Sequence, residues 1–254
     1  MSQPVVDYYA QDALSTVFYD LLSRFDPSIQ GDLDVYAGLA DGRRTVLELG
    51  CGSGRIAHAL AERGLLVTGV DLAPAMLDRA KARRRAAPEA VAARLRYRLG
   101  DMSRIELGTA FDLILAPYFG LAHLPPEAQA RALGVMARHL APGGLAVLHL
   151  PVAARMAEAP QPPDQPVVSI TFDAEGRRLQ LFIAERRFDP ASGRFDQTIA
   201  YVVTDAVGQT LRRSLERMVY FTGDTLGMAA AAGLTLDRPV APFNEFGELF
   251  VLRA

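Results

Sequence analysis

Three glycines in five residues, Gly50, Gly52 and Gly54, are the first chemical signal in this sequence. They follow an apolar segment at residues 45–49 that predicts a β-strand, and they precede a segment with apolar residues at helical spacing. A glycine turn between a strand and a helix lets the backbone approach a ligand closely, with the helix N-terminus facing it. A dinucleotide fingerprint would place its third glycine five positions after the first, where this chain has Arg55. The spacing therefore predicts a ligand-binding turn and disfavours NAD.

Two carboxylates follow the next predicted strands. Asp71 ends the strand predicted at residues 66–70, where it can accept hydrogen bonds from both hydroxyls of a ribose or cap the helix that begins near Pro74. Asp101 follows the strand predicted at 96–99, where it can accept a hydrogen from an adenine amino group or simply form a turn. Because the three signals occur in order at successive strand ends, they predict a ligand that contains adenosine.

These segments resemble the successive motifs of class I methyltransferases that use S-adenosylmethionine. The resemblance is carried by residues 46–55, 70–77, 100–102, 111–114 and 138–144. It implies that Glu48 and the glycine turn surround the methionine part of the cofactor, that Asp71 holds the ribose, and that Asp101 reads the adenine edge. The cofactor-binding residues that it implies are Glu48, Gly50, Cys51, Gly52, Gly54, Asp71, Leu72, Met76, Asp101, Met102 and Pro117.

The loop at residues 116–124 follows the predicted fourth strand, where this family brings cofactor and acceptor together. Family members that methylate nucleic-acid bases carry Asn/Asp-Pro-Pro-Tyr/Phe there, whereas this chain has Ala-Pro-Tyr-Phe at residues 116–119. The resemblance therefore favours the small-molecule branch, with N- or O-methylation of the acceptor and S-adenosylhomocysteine as the product.

Two residues of this loop are candidates for the chemistry of transfer. His123 is placed to take a proton from the acceptor, because imidazole titrates near neutral pH, although it also suits a backbone-bonding role at a helix start. Tyr118 either lines the methyl-transfer channel or packs in the core. Neither has to be a base, since a sulfonium is already a strong electrophile and alignment is the main requirement.

The elements that position these residues predict an α/β fold. Short apolar segments alternate with helical ones at 55–63, 75–85 and 127–140, which predicts a Rossmann-like, mostly parallel seven-stranded sheet with helices on both faces. Strand-like segments at 167–172, 179–188, 195–204 and 211–221 are joined by short turns, which predicts an inserted antiparallel meander. A helix at 225–232 and a strand at 248–252 return the chain to the first sheet.

The predicted organisation is a helical cap at 1–40, the cofactor-binding core at 41–152, the insert at 153–221 and the return at 222–254. The cap aromatics Tyr8, Tyr9, Phe18 and Tyr19 either close the pocket as a lid or pack in the ordinary way. The insert either covers the acceptor site or forms an oligomer contact, which leaves a homodimer open.

Composition narrows the class of protein. The net charge of −2 supplies no basic field to attract nucleic acid. The single cysteine and four scattered histidines predict neither a disulfide nor a metal site, in keeping with a reducing cytoplasm. The first residues lack the pattern of a signal peptide, and no apolar run approaches the roughly 20 residues of a membrane span. We therefore expect a cytoplasmic protein with a small-molecule acceptor and no metal.

Three alternatives remain open. Arginines at 79–98 are the main argument for an RNA-modifying methyltransferase, but we expect them to form a solvated helix face, because no aromatic stacking platform is interleaved with them. The chain is alternatively a module that binds the cofactor without turnover, or an enzyme that uses the cofactor for a reaction other than methylation.

Overall fold

The computed structural model describes residues 4–158 and 165–254. The strands are β1 (Val5–Asp7), β2 (Thr45–Leu49), β3 (Leu66–Asp71), β4 (Leu95–Leu99), β5 (Phe111–Ala116), β6 (Leu140–Pro151), β7 (Val168–Thr171), β8 (Arg178–Asp189), β9 (Arg194–Thr204), β10 (Thr210–Phe221), β11 (Thr235–Leu236), β12 (Ala241–Pro242) and β13 (Gly247–Arg253). The α-helices are α1 (Leu14–Val17), α2 (Tyr19–Leu22), α3 (Asp32–Leu39), α4 (Arg55–Glu62), α5 (Pro74–Ala86), α6 (Glu89–Ala92), α7 (Pro126–His139), α8 (Ala153–Ala157) and α9 (Thr225–Ala231). Short 3₁₀ turns span Pro27–Ile29 and Gly120–His123.

The main sheet has the strand order β11-β13-β6-β5-β2-β3-β4, and β12 pairs with β13 as an eighth strand. Strands β2 to β6 run parallel, and β13 is antiparallel to β6. The predicted Rossmann-like α/β fold is confirmed. The predicted count of seven strands is one short, because the two-residue β12 leaves no periodic pattern in the sequence.

Helices cover both faces of this sheet, which explains why its central strands are apolar almost throughout. β2 and β5 are buried at nearly every position, as strands covered on both sides must be. One face packs against α7 and α9, and the other against α3 and α4. The cluster on the first face includes Ile114, Leu133, Met136, Leu148 and Ala229, and the cluster on the second includes Tyr36, Ile56, Leu60, Leu113 and Val147.

The strand order reverses at β2, whose neighbours are β3 on one side and β5 on the other. The chain therefore leaves the carboxyl ends of β2 and β5 in opposite directions, which opens a crevice between the two departing segments. Open α/β sheets bind their ligands in such a crevice. The glycine turn at residues 50–54 lies at this position.

The insert forms a separate five-stranded sheet with the order β1-β10-β9-β8-β7, and the predicted antiparallel meander is confirmed. Its strands begin and end within one or two residues of the predicted bounds. The structure also places β1, from the predicted helical cap, beside β10 in parallel pairing, so the cap is not purely helical. Three residues are too few for a strand pattern to stand out in the sequence. The predicted insert begins with α8 at Ala153–Ala157, and its residues 159–164 lie outside the described ranges.

The cap packs on the inner face of the second sheet, where Leu14 and Leu181 belong to one buried cluster. A buried carboxylate fastens this contact, because Glu216 of β10 accepts hydrogen bonds from the backbone N–H groups of Leu14 (2.6 Å) and Ser15 (3.2 Å). The first N–H groups of a helix have no partner within the helix, so α1 depends on this side chain for them.

A second carboxylate fastens the cap to the main sheet. Asp20 of α2 accepts hydrogen bonds from the Ser53 hydroxyl (2.6 Å), Arg83 Nη2 (2.9 Å) and Arg79 Nη2 (3.1 Å). These two arginines belong to the stretch expected on a solvated helix face, and that expectation is wrong for them. They hold the cap against α5 instead of being available to a nucleic acid.

Within residues 4–158 and 165–254, no helix is both long and apolar enough to cross a membrane.

We expect Glu216→Ala to lower the free energy of unfolding by about 2 kcal/mol, because two buried N–H groups lose their acceptor. Glu216→Gln, which keeps one carbonyl oxygen, should lose less. Equilibrium urea denaturation measures both changes. Glu185→Ala on β8, an exposed glutamate of the same sheet, is the matched control. A loss in Glu216→Ala no larger than in the control would show that the carboxylate does not anchor the cap.

Candidate active site

A cavity of about 450 Å³ lies in the crevice at the carboxyl ends of β2, β3 and β5. This volume is within the range of small-molecule sites. Both candidates from the acceptor loop, Tyr118 and His123, line it. The predicted cofactor residues that line it are Glu48, Gly50, Cys51, Gly52, Asp71, Leu72, Met76, Asp101, Met102 and Pro117. Gly54 is the predicted residue that does not line the cavity.

The glycine turn requires its glycines for two different reasons. Gly50 and Gly52 have φ values of +76° and +54°, in the left-handed region that favours glycine, and both border the cavity. A Cβ on Gly52 would lie 3.4 Å from both Met76 Cε and the Tyr19 hydroxyl. Gly54 is also left-handed, but a Cβ there would collide with the Tyr97 hydroxyl. Gly54 therefore serves the turn and its packing, while the first two glycines keep the cavity open.

Asp71 connects the glycine turn to the segment that leads into α5. Its Oδ2 accepts the Gly52 N–H (2.7 Å), and its Oδ1 accepts the Ala73 N–H (2.8 Å). Burial raises the pKa of this carboxyl. Each carboxylate oxygen has a second lone pair, so the side chain retains acceptor capacity towards the cavity that it lines.

Asp101 and Met102 form the opposite rim. Asp101 Oδ1 accepts the Ser103 N–H (2.8 Å), which shapes the turn after β4. Its side chain is 37% exposed and lies 3.7 Å from Arg104 Nε. Met102 reaches across the cavity floor, with its Cε 3.1 Å from the place of a Cβ on Gly50.

Glu48 and Arg55 both line the inner end of the cavity. Glu48 is 1% exposed, and its Oε2 has no hydrogen-bond partner. Burial raises the pKa of Glu48 to about 8. Arg55 donates two parallel hydrogen bonds to the carboxylate of Asp32, at 2.8 and 2.5 Å. Arg55 was not predicted as a site residue, although its place at the start of α4, beside the turn, was a signal for one.

Tyr118 is held in a strained conformation by the loop after β5. Tyr118 and Phe119 have φ values of +47° and +59°, which residues other than glycine rarely adopt. The Tyr118 hydroxyl donates a hydrogen bond to Asp26 Oδ2, and the Phe119 N–H donates to the His149 carbonyl (3.0 Å). The hydroxyl proton of Tyr118 is therefore committed to the cap.

One ring nitrogen of His123 takes part in a hydrogen bond, and the other does not. Its Nδ1 lies 2.9 Å from the Val219 carbonyl, so this nitrogen carries the proton and donates it, and Nε2 keeps its lone pair. Burial lowers the pKa of His123 to about 4. The expectation of titration near neutral pH is therefore wrong, because the ring lies among Tyr9 and Tyr220. The ring is neutral at physiological pH and acts as a hydrogen-bond acceptor.

The cap contributes an aromatic wall. Tyr8, Tyr9 and Tyr19 line the cavity, with the rings of Tyr8 and Tyr9 4.5 Å apart and those of Tyr9 and Tyr19 6.0 Å apart. Phe18 instead packs against Phe172 of the insert, at 5.0 Å. Three of the four cap aromatics therefore border the site, and the fourth belongs to the core beneath the second sheet.

Behind the acceptor loop, His149 of β6 is fully buried. Its Nδ1 lies 3.4 Å from the Tyr36 hydroxyl, and its Nε2 has no hydrogen-bond partner. The rings of Phe119 and Phe243 lie 4.7 and 4.6 Å from the imidazole. Burial lowers the pKa of His149 to about 4, so the ring is held neutral. His149 was not predicted as a site residue, because a histidine inside an apolar strand gives no sign of its surroundings.

Across the described parts of the chain, no three His, Cys, Asp or Glu side chains are grouped to hold a metal ion.

Comparison with known proteins points to methyltransferases. Residues 46–144 match the family model described as a methyltransferase domain. A ubiquinone biosynthesis O-methyltransferase from Pseudomonas paraeruginosa is 32% identical over 139 residues, which cover 52% of this chain and 57% of that protein. A dTDP-4-amino-2,3,4,6-tetradeoxy-D-glucose N,N-dimethyltransferase from Saccharopolyspora spinosa is 27% identical over 183 residues, covering 71% and 67%. The chain spans about half the length of several curated relatives that it matches.

The comparison extends to solved structures. An amino pentose methyltransferase from Micromonospora echinaspora, solved with S-adenosylmethionine bound, superposes with a TM-score of 0.68 at 25% identity, over 93% of this chain and 95% of that one. Residues 46–144 are therefore a methyltransferase domain, and the chain resembles S-adenosylmethionine-dependent methyltransferases in sequence and fold.

The cavity fits this cofactor on its own chemistry. The unpartnered Oε2 of Glu48 suits the ammonium of the methionine part. The space that side chains on Gly50 and Gly52 would fill leaves room for the thioether end. The remaining lone pairs of Asp71 suit the ribose hydroxyls.

We expect Asp71→Ala to weaken binding of S-adenosylhomocysteine at least tenfold, since the turn loses the acceptor for Gly52 and the ribose loses its own. Gly52→Val should abolish binding, because the side chain is strained at φ +54° and enters the cavity. Isothermal titration calorimetry on folded variants measures both effects. Asp78→Ala, an exposed aspartate of α5, is the control. Unaltered binding in both site variants would mean that the cofactor lies elsewhere.

The buried His149 predicts a pH-dependent stability. Its pKa is about 4 in the folded protein and about 6.5 in an unfolded chain, so unfolding takes up a proton between these values. Stability should be complete above pH 6.5 and fall as the pH drops towards 4, with up to about 3 kcal/mol from this residue. Comparing urea denaturation of wild type and His149→Asn isolates that share, because other titrating groups cancel. The two unfolding free energies should converge as the pH falls and run parallel above pH 7. A constant difference at every pH would contradict the assignment.

Proposed function

We propose that this chain transfers a methyl group from S-adenosylmethionine to an amine nitrogen of a small molecule. Two side chains at the acceptor end of the cavity can only accept hydrogen bonds from a substrate, and this favours an amine. The Tyr118 hydroxyl donates its hydrogen bond to Asp26, and His123 Nδ1–H donates its hydrogen bond to the Val219 carbonyl.

A neutral primary amine matches such a site. Its two N–H groups can donate to Tyr118 Oη and His123 Nε2, which leaves the nitrogen lone pair free to point at the methyl group. A hydroxyl has one hydrogen and can satisfy one of these acceptors. Burying an acceptor without a donor costs about 1–3 kcal/mol, so the unfilled acceptor disfavours a hydroxyl.

The protein's part in the reaction is then alignment and exclusion of water. S-adenosylmethionine supplies a methyl group that is already electrophilic. The Tyr8, Tyr9 and Tyr19 wall closes the cavity on the cap side and keeps water from the sulfonium. As the N–C bond forms, the C–S bond breaks, and the nitrogen becomes positively charged. His123, with a pKa of about 4, is too weak a base to remove a proton from an ammonium substrate, so the acceptor must arrive as the free amine.

The relatives offer support for two acceptor atoms. The Saccharopolyspora spinosa relative is named for N,N-dimethylation of an amino sugar nucleotide, and the Micromonospora echinaspora structure is that of an amino pentose methyltransferase. The ubiquinone biosynthesis relative is an O-methyltransferase, which makes a hydroxyl the second candidate. The paired acceptors of Tyr118 and His123 favour the amine.

We also propose a cytoplasmic location and no nucleic-acid partner, supported by the single cysteine, the net charge of −2 and the engagement of Arg79 and Arg83 with the cap. A homodimer is supported by an apolar row on the outer face of the second sheet. The paired residues Val5, Leu215, Ala200 and Phe182 form this row.

The amine proposal is tested with amino sugars and other small amines, each beside its hydroxyl analogue, by measuring S-adenosylhomocysteine formation and product mass. We expect methylated amines, with kcat/KM rising as the acceptor loses its proton. Product only from hydroxyl analogues would favour O-methylation, and product of another mass would favour a different reaction of the cofactor. No turnover of any acceptor would favour the binding module. Retention of tRNA at physiological salt, with strong salt dependence, would favour the RNA alternative.

Two variants test the roles of Tyr118 and His123 as hydrogen-bond acceptors. His123→Ala and Tyr118→Phe should each lower kcat/KM for the amine by about 10- to 100-fold, the equivalent of one lost hydrogen bond in the site. The Kd for S-adenosylhomocysteine should stay within about twofold of wild type, because neither side chain is assigned to the cofactor. Tyr201→Phe removes a hydroxyl outside the cavity and is the matched control. Full activity in both site variants would contradict the assignment.

A further inference from the structure

Glu48 occupies an electrostatically unusual position at the inner end of the cavity. Its side chain is 1% exposed, and Oε2 has no hydrogen-bond partner. An ionised carboxylate in such a place costs several kcal/mol, whereas the neutral acid avoids most of that cost.

The surrounding groups offset only part of this cost, because the Arg55 charge and a hydrogen bond from the Ala57 backbone N–H lower the pKa of Glu48 but burial outweighs both. Arg55 is the cation that faces Glu48, but its guanidinium is bound through two hydrogen bonds to Asp32, which is 1% exposed. Asp71 and Asp32 add negative charge and further disfavour an ionised Glu48. The other titratable groups that interact with it are neutral at pH 7, because burial raises the pKa of each. They are Tyr19, Tyr36, Cys51 and Tyr97.

We propose that Glu48 is protonated in the ligand-free protein and loses its proton when the ammonium of the cofactor's methionine part binds, so that cofactor binding releases a proton. The inference rests on the proposed function, because it takes S-adenosylmethionine and its product as the ligands. The O–H bond of Glu48 breaks, the proton leaves to solvent, and an N–H of the ligand ammonium donates to the freed carboxylate.

The direction of the pH dependence follows from linkage. Burial raises the pKa of Glu48 to about 8, and a bound ammonium stabilises the ionised form and lowers it. The free protein therefore holds more protons than the complex, and affinity must rise with pH. Below pH 8 the expected rise is about tenfold per pH unit. At pH 7 about nine-tenths of the free protein carries the proton, so about 0.9 proton is released per ligand bound.

The ammonium of the cofactor takes part in this exchange, and the sulfonium does not. S-adenosylhomocysteine has lost the sulfonium charge but keeps the ammonium, so it should release the same fraction of a proton as S-adenosylmethionine. Because the product is subject to the same linkage, it dissociates more readily at lower pH.

Isothermal titration calorimetry with S-adenosylhomocysteine tests this at pH 6, 7 and 8, in phosphate and in Tris, whose ionisation enthalpies differ. For wild type we expect the observed enthalpy at pH 7 to differ between buffers by about 0.9 of the difference in their ionisation enthalpies, and Kd to fall about tenfold from pH 6 to 7. In Glu48→Gln both effects should disappear. Glu62→Gln on the exposed face of α4 is the matched control and should behave as wild type. The ligand's own amino group titrates in the same way with every variant, so its contribution cancels when the variants are compared with wild type.

Two results would overturn the proposal: wild-type binding with the same enthalpy in both buffers, or a pH dependence that survives in folded Glu48→Gln. If that variant does not fold, infrared difference spectra of the wild type decide the matter. Binding of S-adenosylhomocysteine should remove the C=O band of a protonated carboxyl, and an unchanged band would contradict the inference. Absence of any binding by folded wild type would overturn the proposed function along with it, whereas tight binding without proton release overturns this inference alone.

Discussion

The reversal of strand order at β2 is the constraint on which the rest of this structure depends. Because β3 and β5 lie on opposite sides of β2, the segments that leave the carboxyl ends of β2 and β5 diverge and create one crevice. The glycine turn, Asp71 and the acceptor loop each belong to a different strand end, and they meet because the strands are parallel and adjacent. The left-handed glycines then keep the crevice free of side chains, and Asp71 holds the turn to the segment leading into α5.

The crevice becomes a cavity because the cap covers it, and acidic side chains attach that cap to the body. Asp20 accepts hydrogen bonds from Ser53 and two arginines. Asp26 accepts a hydrogen bond from the Tyr118 hydroxyl, and Asp32 accepts hydrogen bonds from Arg55. Glu216 provides the corresponding bond from the second sheet to α1. Helices of four residues such as α1 and α2 have little stability of their own, so these bonds and the packing beneath them determine where the cap lies. The same contacts position residues that line the site.

The two ends of the cavity differ in the hydrogen bonding and protonation of their side chains. At the acceptor end, Tyr118 and His123 have committed their protons to protein oxygens and present lone pairs to a substrate that must bring its own hydrogens. At the inner end, Glu48 has neither a hydrogen-bond partner for Oε2 nor a free cation beside it. Burial explains both, since it favours the neutral form of an imidazole and of a carboxyl alike. Before its ligands bind, the cavity thus presents neutral groups at both ends.

The sequence by itself determined the α/β class, the antiparallel insert and the family, because strand and helix periodicity and the glycine spacing are local properties of the chain. It also indicated most of the residues that line the cavity, since they lie at strand ends. Only the tertiary structure decided that Gly54 faces Tyr97, that Arg79 and Arg83 bind the cap, that Asp32 holds Arg55, and that His123 is neutral. These features depend on burial and on partners distant in sequence. A residue's type gives its intrinsic pKa and its hydrogen-bonding groups, but the neighbours that shift the one and occupy the other are brought together only by folding.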